Sequence, residues 1–197
     1  MNMSNIIIDD ELKKYMRPLR DEEYEKLKES VLTEGIRDPL VTWRGILLDG
    51  YHRYQLAQEY NLKYKTVEID LPNKEAAKEW IITNQLGRRN LTPQEMSYYR
   101  GKLYESKKRQ SGVRTDLTFG KNFRRLDTAS EIGKQYGVTD RTVRNDADFS
   151  QAVDKVATEI GEEAKHAILT GKVNVPKQEV ETLIEIKQKA PDYIEPI

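Results

Sequence analysis

Cysteine is absent from this chain of 197 residues. That removes disulfides, thiolate metal sites and thiol catalysis in one step, and it suits a reducing compartment such as the cytoplasm. Long apolar runs are missing too. None approaches the roughly 20 residues that a membrane span needs, and Ile6-Ile7-Ile8 is only long enough for a short strand. Met1-Asn2-Met3-Ser4-Asn5 has neither a basic n-region nor an apolar h-region, so the start does not read as a signal peptide. An excess of one charge sign is also lacking. Thirty-three Lys and Arg face thirty-three Asp and Glu, with apolar residues spread throughout, so a packed core can form.

The zero net charge hides a gradient. Residues 98–125 hold nine Lys/Arg against two Asp/Glu, a net of +7, whereas residues 146–197 carry a net of −5. A basic block in a neutral chain is the usual footprint of phosphate binding. A solvated helix face running into a linker has the same composition.

Apolar periodicity divides the chain. Asp21–Glu34 reads as a helix, with acids in its first turn and Gly35 where a stop belongs. Leu40–Trp43 and Ile46–Leu48 read as two strands around an Arg44-Gly45 turn. Tyr51–Tyr60 follows as a helix closed by Asn61, Thr66–Ile69 as a strand and Lys74–Gln85 as a helix. Thr92-Pro93-Gln94-Glu95 is a helix start, combining a cap, a proline at the first helical position and a capping-box glutamate. That helix is expected to reach about Lys108. Ser111–Asn122 reads as a linker or loop, and Leu126 onward is helical again. The expected division is an α+β domain over residues 1–92, a basic connecting helix and linker over 93–125, and an all-α domain over 126–197.

The stretch Ile46-Leu47-Leu48-Asp49-Gly50-Tyr51-His52-Arg53 runs from strand to glycine to helix. The first amides of a helix have no partners within it, and the dipole favours an anion there. His52 and Arg53 place donors at the same spot, and the guanidinium fork suits phosphate oxygens. Asp49 is the candidate for holding a hydroxyl or a metal ion, or for catalysis. An ordinary structural turn with a hydrogen-bonded histidine fits the same pattern.

The second informative stretch is Thr128–Asn145. Ile132 faces inward and Gly133 permits a close crossing. Gly137 supplies the positive φ of a tight turn, Val138 plugs the angle, Thr139 caps the next helix and Val143 points to the core. Asp140, Arg141, Thr142, Arg144 and Asn145 are left facing outward. Arginine and asparagine are the residues that reach guanine and adenine edges in the major groove. Asp140 and Asp146 are expected to repel phosphates. Upstream, Lys107, Lys108, Arg109, Arg114, Lys121, Arg124 and Arg125 suit a backbone clamp that does not read sequence.

Residues 4–95 resemble the ParB/sulfiredoxin-like superfamily. The likeness rests on Asp38–Trp43, on the Gly50-Tyr51-His52-Arg53 loop, and on Asn84-Gln85-Leu86-Gly87-Arg88-Arg89-Asn90-Leu91-Thr92-Pro93 with Glu95. Thr128–Asn145 resembles the DNA-binding helix-turn-helix of repressors and ParB-type proteins. The resemblance implies an α+β ParB/sulfiredoxin-like N-terminal domain with an all-α helix-turn-helix C-terminal domain. It implies nucleotide or phosphate binding by Gly50, His52, Arg53, Asn84, Gln85, Arg88 and Arg89, with CTP or another nucleotide and Mg2+ as ligands. It implies double-stranded DNA binding by Thr139, Arg141, Thr142, Arg144 and Asn145, with Arg124 and Arg125. A cytoplasmic, nucleoid- or plasmid-associated homodimer acting in plasmid or phage partition, or in transcription, follows from the same likeness.

Two departures narrow the expectation. The sulfiredoxin branch needs a cysteine where Tyr51 stands, so thiol repair chemistry is excluded. The CTP-hydrolysing branch has glutamates where Tyr51 and Asn84 stand, and a neutral amide neither binds Mg2+ well nor accepts a proton. That speaks against hydrolysis. The alternative is an enzyme of the same fold, a small-molecule kinase or nucleoside triphosphatase using Asp49, His52 and Arg53. No paired carboxylates or histidine cluster of the kind a metal-dependent nuclease needs are evident. The tail Glu179–Glu195 suits an amphipathic helix, packed on its own domain or used for self-association. The last residues carry no helix stop, as in a fragment of a longer protein.

Overall fold

A computed structural model describes residues 6–113 and 127–189. The chain divides into two compact units, residues 1–85 and 86–197.

The first unit is mixed. Its elements are α1 (Asp10–Lys13), α2 (Asp21–Glu34), β1 (Leu40–Trp43), β2 (Ile46–Asp49), α3 (Tyr51–Glu59), β3 (Thr66–Glu68) and α4 (Lys74–Leu86). The sheet order is β2-β1-β3, with β1 antiparallel to β2 and parallel to β3. Arg44 and Gly45 both adopt positive φ, which lets a two-residue turn follow the strand twist. The strand expected at Ile6–Ile8 is reduced to a single parallel bridge between Ile7 and Ile46.

Side chains alternate across a strand, and here neighbouring leucines serve two cores. Leu48 packs with Leu12, Trp43, Ala77 and Ile81. Leu47 packs with Ile6 and Leu40, against which Tyr51, Tyr54 and Tyr64 lie. The indole of Trp43 donates to the Leu71 carbonyl at 2.8 Å, so the largest core ring has its one polar atom satisfied. Helix α2 begins and ends where its sequence signals place it. Its first turn is closed by Glu23 accepting from the Arg20 amide, and the Gly35 amide donates to the Val31 carbonyl.

The second unit is helical: α5 (Pro93–Val113), α6 (Thr128–Tyr136), α7 (Asp140–Glu159), α8 (Glu162–Thr170), a 3-10 turn (Lys177–Glu179) and α9 (Val180–Lys189). The expected capping box starts α5: the Glu95 amide donates to Thr92 Oγ1 at 3.0 Å, and the Thr92 amide to Glu95 Oε2 at 2.7 Å. The helix extends to Val113 rather than Lys108, taking in the first residues of the expected linker. The rest of that linker, with Arg114, Lys121, Arg124 and Arg125, lies outside the described residues.

Helix α7 is the hub of this unit, packing against α5, α6, α8 and α9. Thus α5, which its basic sequence offers as a connector, belongs to the helical core through Tyr98, Tyr99 and Leu103. At Gly101 the backbones of α5 and α7 touch, and a Cβ there would stand 2.1 Å from the Asp146 carbonyl oxygen. The tail helix α9 packs on α7 and buries Val180.

Candidate functional site

Two places in the chain gather the residues to which the sequence points, one in each unit. In the first, β2 runs into Gly50 at φ 93°, and α3 starts at once. Gly50 has no side chain with which to cap this helix, whose first amides have no carbonyl partner within the helix itself. Glycine is obligatory for two reasons. The φ is left-handed, and a Cβ would lie 2.6 Å from Leu40 Cδ2 and 3.1 Å from Arg53 Nη2.

Arg53 folds back over that glycine. Its Nη2 donates to Asp49 Oδ2 at 2.7 Å and its Nη1 to the Asp38 carbonyl at 2.9 Å. The Asp38 carboxylate stands 3.8 Å away. Asn84, from the end of α4, donates to the other oxygen of Asp49 at 3.2 Å. Asp49, Gly50, Arg53 and Asn84 therefore come together across 35 residues of sequence. His52 is placed differently: Nε2 lies 3.4 Å from the Arg17 carbonyl, and the ring meets Tyr24 and Tyr51 edge-on. Gln85 is buried, and its Oε1 finds no partner among the described residues. Arg88 and Arg89 are exposed and fall in the second unit.

The chemistry of this set can be tested against the ligands the resemblance implies. The amides of a helix start, together with an arginine, fit an anionic oxygen, but here Asp49 already supplies one to Arg53. A hard divalent cation fits poorly. Both carboxylate oxygens of Asp49 face nitrogen donors, and among the described residues no three His, Asp or Glu side chains converge.

In the second unit, α6 ends at Gly137 with φ 67°. Thr139 then caps α7, accepting from the Thr142 amide at 3.1 Å. The turn sits hard against α6: a Cβ on Gly133 would be 2.6 Å from the Val138 carbonyl oxygen, and the Val138 amide donates to the Gly133 carbonyl. Ile132 and Val143 are fully buried. The small residue, the glycine turn and the cap thus produce the geometry that their spacing predicts.

What faces outward is more constrained than the sequence suggests. Asp140, Arg141, Arg144 and Asn145 are exposed. The Thr139 and Thr142 hydroxyls lie 2.9 Å apart and share a hydrogen bond, so one of the two donates to the other rather than outward. Arg144 Nη1 donates to Asp140 Oδ2 at 2.8 Å, and Nη2 donates to Asp127. Lys108 lies over the Tyr104 ring of α5, 5.8 Å from its centroid.

Asp146 corrects an expectation. It has no solvent exposure and so presents no charge to a ligand. Arg100 donates to Asp146 Oδ2 through Nε and Nη2, both at 2.6 Å, and Lys177 Nζ donates to Oδ1 at 2.9 Å. The signal was present in the sequence: positions 143, 146, 147, 150 and 153 form one helical face, and Asp146 is its single charge. Asp127 is the residue that motif reading passes over. Its role depends on meeting Arg144 through space, 17 residues along the chain.

No protein-family model matches this chain, and no curated protein matches it. Solved structures do. A Pnob8-like ParB-N domain in its C2221 crystal form aligns with a TM-score of 0.56 at 20% identity, covering 98% of this chain and 84% of that one. The pNOB8-like ParB N-domain aligns with a TM-score of 0.52 at 18% identity, covering 94% and 73%. The C-terminally truncated chromosome-partitioning protein ParB from Caulobacter crescentus, complexed with CTP-gamma-S, reaches only 0.37 at 18% identity, covering 91% and 94%. At these identities the first two likenesses are ones of fold. They take in the helical half as well as the mixed half, so the helices expected as a separate C-terminal domain fall within what an N-domain structure spans.

Proposed function

We propose that this chain is a ParB-like DNA-binding protein, in which α6 and α7 form a helix-turn-helix and α7 enters the major groove. The observation that carries this reading is the turn itself. Gly133, Gly137, Val138 and Thr139 fix the two helices so that Arg141, Arg144 and Asn145 stand on one exposed end of α7. Those side chains match the donors and acceptors of base edges. Lys107, Lys108 and Arg109 at the end of α5, with Arg124 and Arg125 beyond it, supply salt-dependent grip on phosphates. A homodimer on plasmid or chromosomal DNA, serving partition or transcription, is the biological role this reading implies.

The front unit is a ligand-sensing or assembly domain. Its loop, with Gly50, the amides of α3 and Arg53, is the site for a nucleotide phosphate, CTP being the ligand that the family resemblance suggests. His52, Asn84 and Gln85 complete the expected set within this unit, with His52 and Gln85 the weakest members in view of their packing, and Arg88 and Arg89 are the expected members that follow α4 in sequence.

The test is duplex binding by wild type and by the Arg141→Ala, Arg144→Ala double variant, followed by fluorescence anisotropy. The reading predicts salt-sensitive binding that the double variant loses by at least about tenfold, as each good base contact contributes roughly 1–3 kcal/mol. Equal binding by the two proteins would remove α7 from the interface.

A further inference from the structure

Arg144 is one of the exposed side chains at the start of α7, and its guanidinium is already occupied. Its two terminal nitrogens, the atoms that would form a bidentate contact, each donate to a different carboxylate, Asp140 on its own helix and Asp127 at the start of α6. Asp127 is the N-cap residue of α6 yet makes no side-chain cap bond, so its carboxylate is directed to Arg144 instead. The arginine holds the Asp140 carboxyl below the usual carboxylate range. All three side chains are about half exposed, at 47%, 47% and 48%. Ion pairs in such surroundings are weak enough for a ligand to displace.

We infer that Asp127 and Asp140 determine specificity by occupying the Arg144 fork and yielding it to a neutral base edge more readily than to a phosphate. This rests on the reading of α6 and α7 as a DNA-binding pair. When the fork leaves them, the two carboxylates remain beside it. A phosphate taking their place brings a third negative charge into the cluster, and like-charge juxtaposition is costly. A guanine edge offers two acceptors, O6 and N7, with no net charge. The acids thus penalise the wrong partner more than the right one, which is how repulsive elements generate discrimination.

The test compares a mixed-sequence duplex with an all-A·T duplex, which has no guanine edge. Wild type, Asp140→Asn and the Asp127→Asn, Asp140→Asn double variant are measured by anisotropy over a salt series. Asparagine is nearly isosteric and caps helices as well as aspartate does, and thermal unfolding checks that each variant is folded. Wild type is expected to prefer the mixed duplex. The double variant is expected to bind the all-A·T duplex about fivefold more tightly and to gain less on the mixed one, so the preference shrinks. Asp140→Asn alone falls between. Equal gains on both duplexes, or none on the all-A·T duplex, overturn the inference while leaving the DNA-binding reading in place. Failure of wild type to bind either duplex overturns both.

Discussion

Asp49 holds Arg53 with one carboxylate oxygen and Asn84 with the other, at 2.7 and 3.2 Å. The strand end, the helix start and the end of α4 are thereby tied at one atom group. The same contact places an internal anion where an external one would dock. An incoming phosphate must compete with Asp49 for Arg53, and removing the carboxylate removes the competitor. Asp49→Asn is therefore expected to bind CTP about fivefold more tightly than wild type, and Arg53→Ala to lose binding. Isothermal titration with CTP and ATP measures both. A loss of affinity in Asp49→Asn would instead mean that the carboxylate contacts the ligand, as the enzyme alternative requires.

Helices α5 and α7 approach closely at Gly101, where a Cβ would meet the Asp146 carbonyl oxygen. Neither backbone can yield without separating the helices. Gly101→Ala is expected to cost about 3 kcal/mol, the upper range for overpacking a tight core. The check is the denaturant midpoint, and a shift worth less than about 1 kcal/mol, the ordinary range of a tolerated substitution, would contradict the crossing.

Asp146 is enclosed by Arg100 and Lys177. Asp146→Asn leaves the largely buried Arg100 guanidinium without its countercharge, and breaking a buried pair from one side costs roughly 3–5 kcal/mol. Lys177 retains 41% exposure, so Lys177→Ala should cost far less, about 1 kcal/mol. Thermal unfolding of the two variants gives the order, and the reverse order would place the burial wrongly.

Much of this architecture was legible in the sequence because it follows from neighbours. The Thr92–Glu95 box, the Gly35 stop of α2 and the Gly137-Val138-Thr139 turn each depend on residues within one helical turn. Contacts across the fold were not legible. Nothing local to Asp146 says that Arg100 and Lys177, 46 and 31 residues away, will neutralise it, so its charge suggested an outward position although its spacing placed it inward. Arg144 and Arg53 illustrate the same limit at the candidate sites. Residue type identified both arginines, but only the packing reveals that each already holds carboxylate partners. The front loop was legible as strand, glycine and helix, yet Leu40 beneath Gly50 gives that glycine a structural reason to be there.

Asp154 links stability to pH. Burial raises its carboxyl pKa, but Lys165, Lys102 and the Tyr98 hydroxyl more than offset this, leaving it below the ordinary value. Burial likewise lowers Lys102, and Asp154 and Glu105 outweigh it, leaving the ammonium above its ordinary value. A depressed carboxylate stabilises the fold above its unfolded pKa of about 4, and that contribution is lost as pH falls through the folded value. A raised lysine stabilises below about 10.4, and its contribution is lost as pH rises through the folded value. Denaturation midpoints should therefore plateau between these limits and drop at both ends. Asp154→Asn should flatten the acid limb, and an unchanged acid limb would show that the cluster is not coupled to folding.

Backbone amide chemical-shift mapping of the full chain with a mixed-sequence duplex decides whether DNA is read through the exposed end of α7. The largest shifts are expected at Thr139–Asn145, with further shifts at Lys107–Arg109. Shifts confined to the Gly50–Arg53 loop and the front unit, with Thr139–Asn145 unmoved, would contradict it.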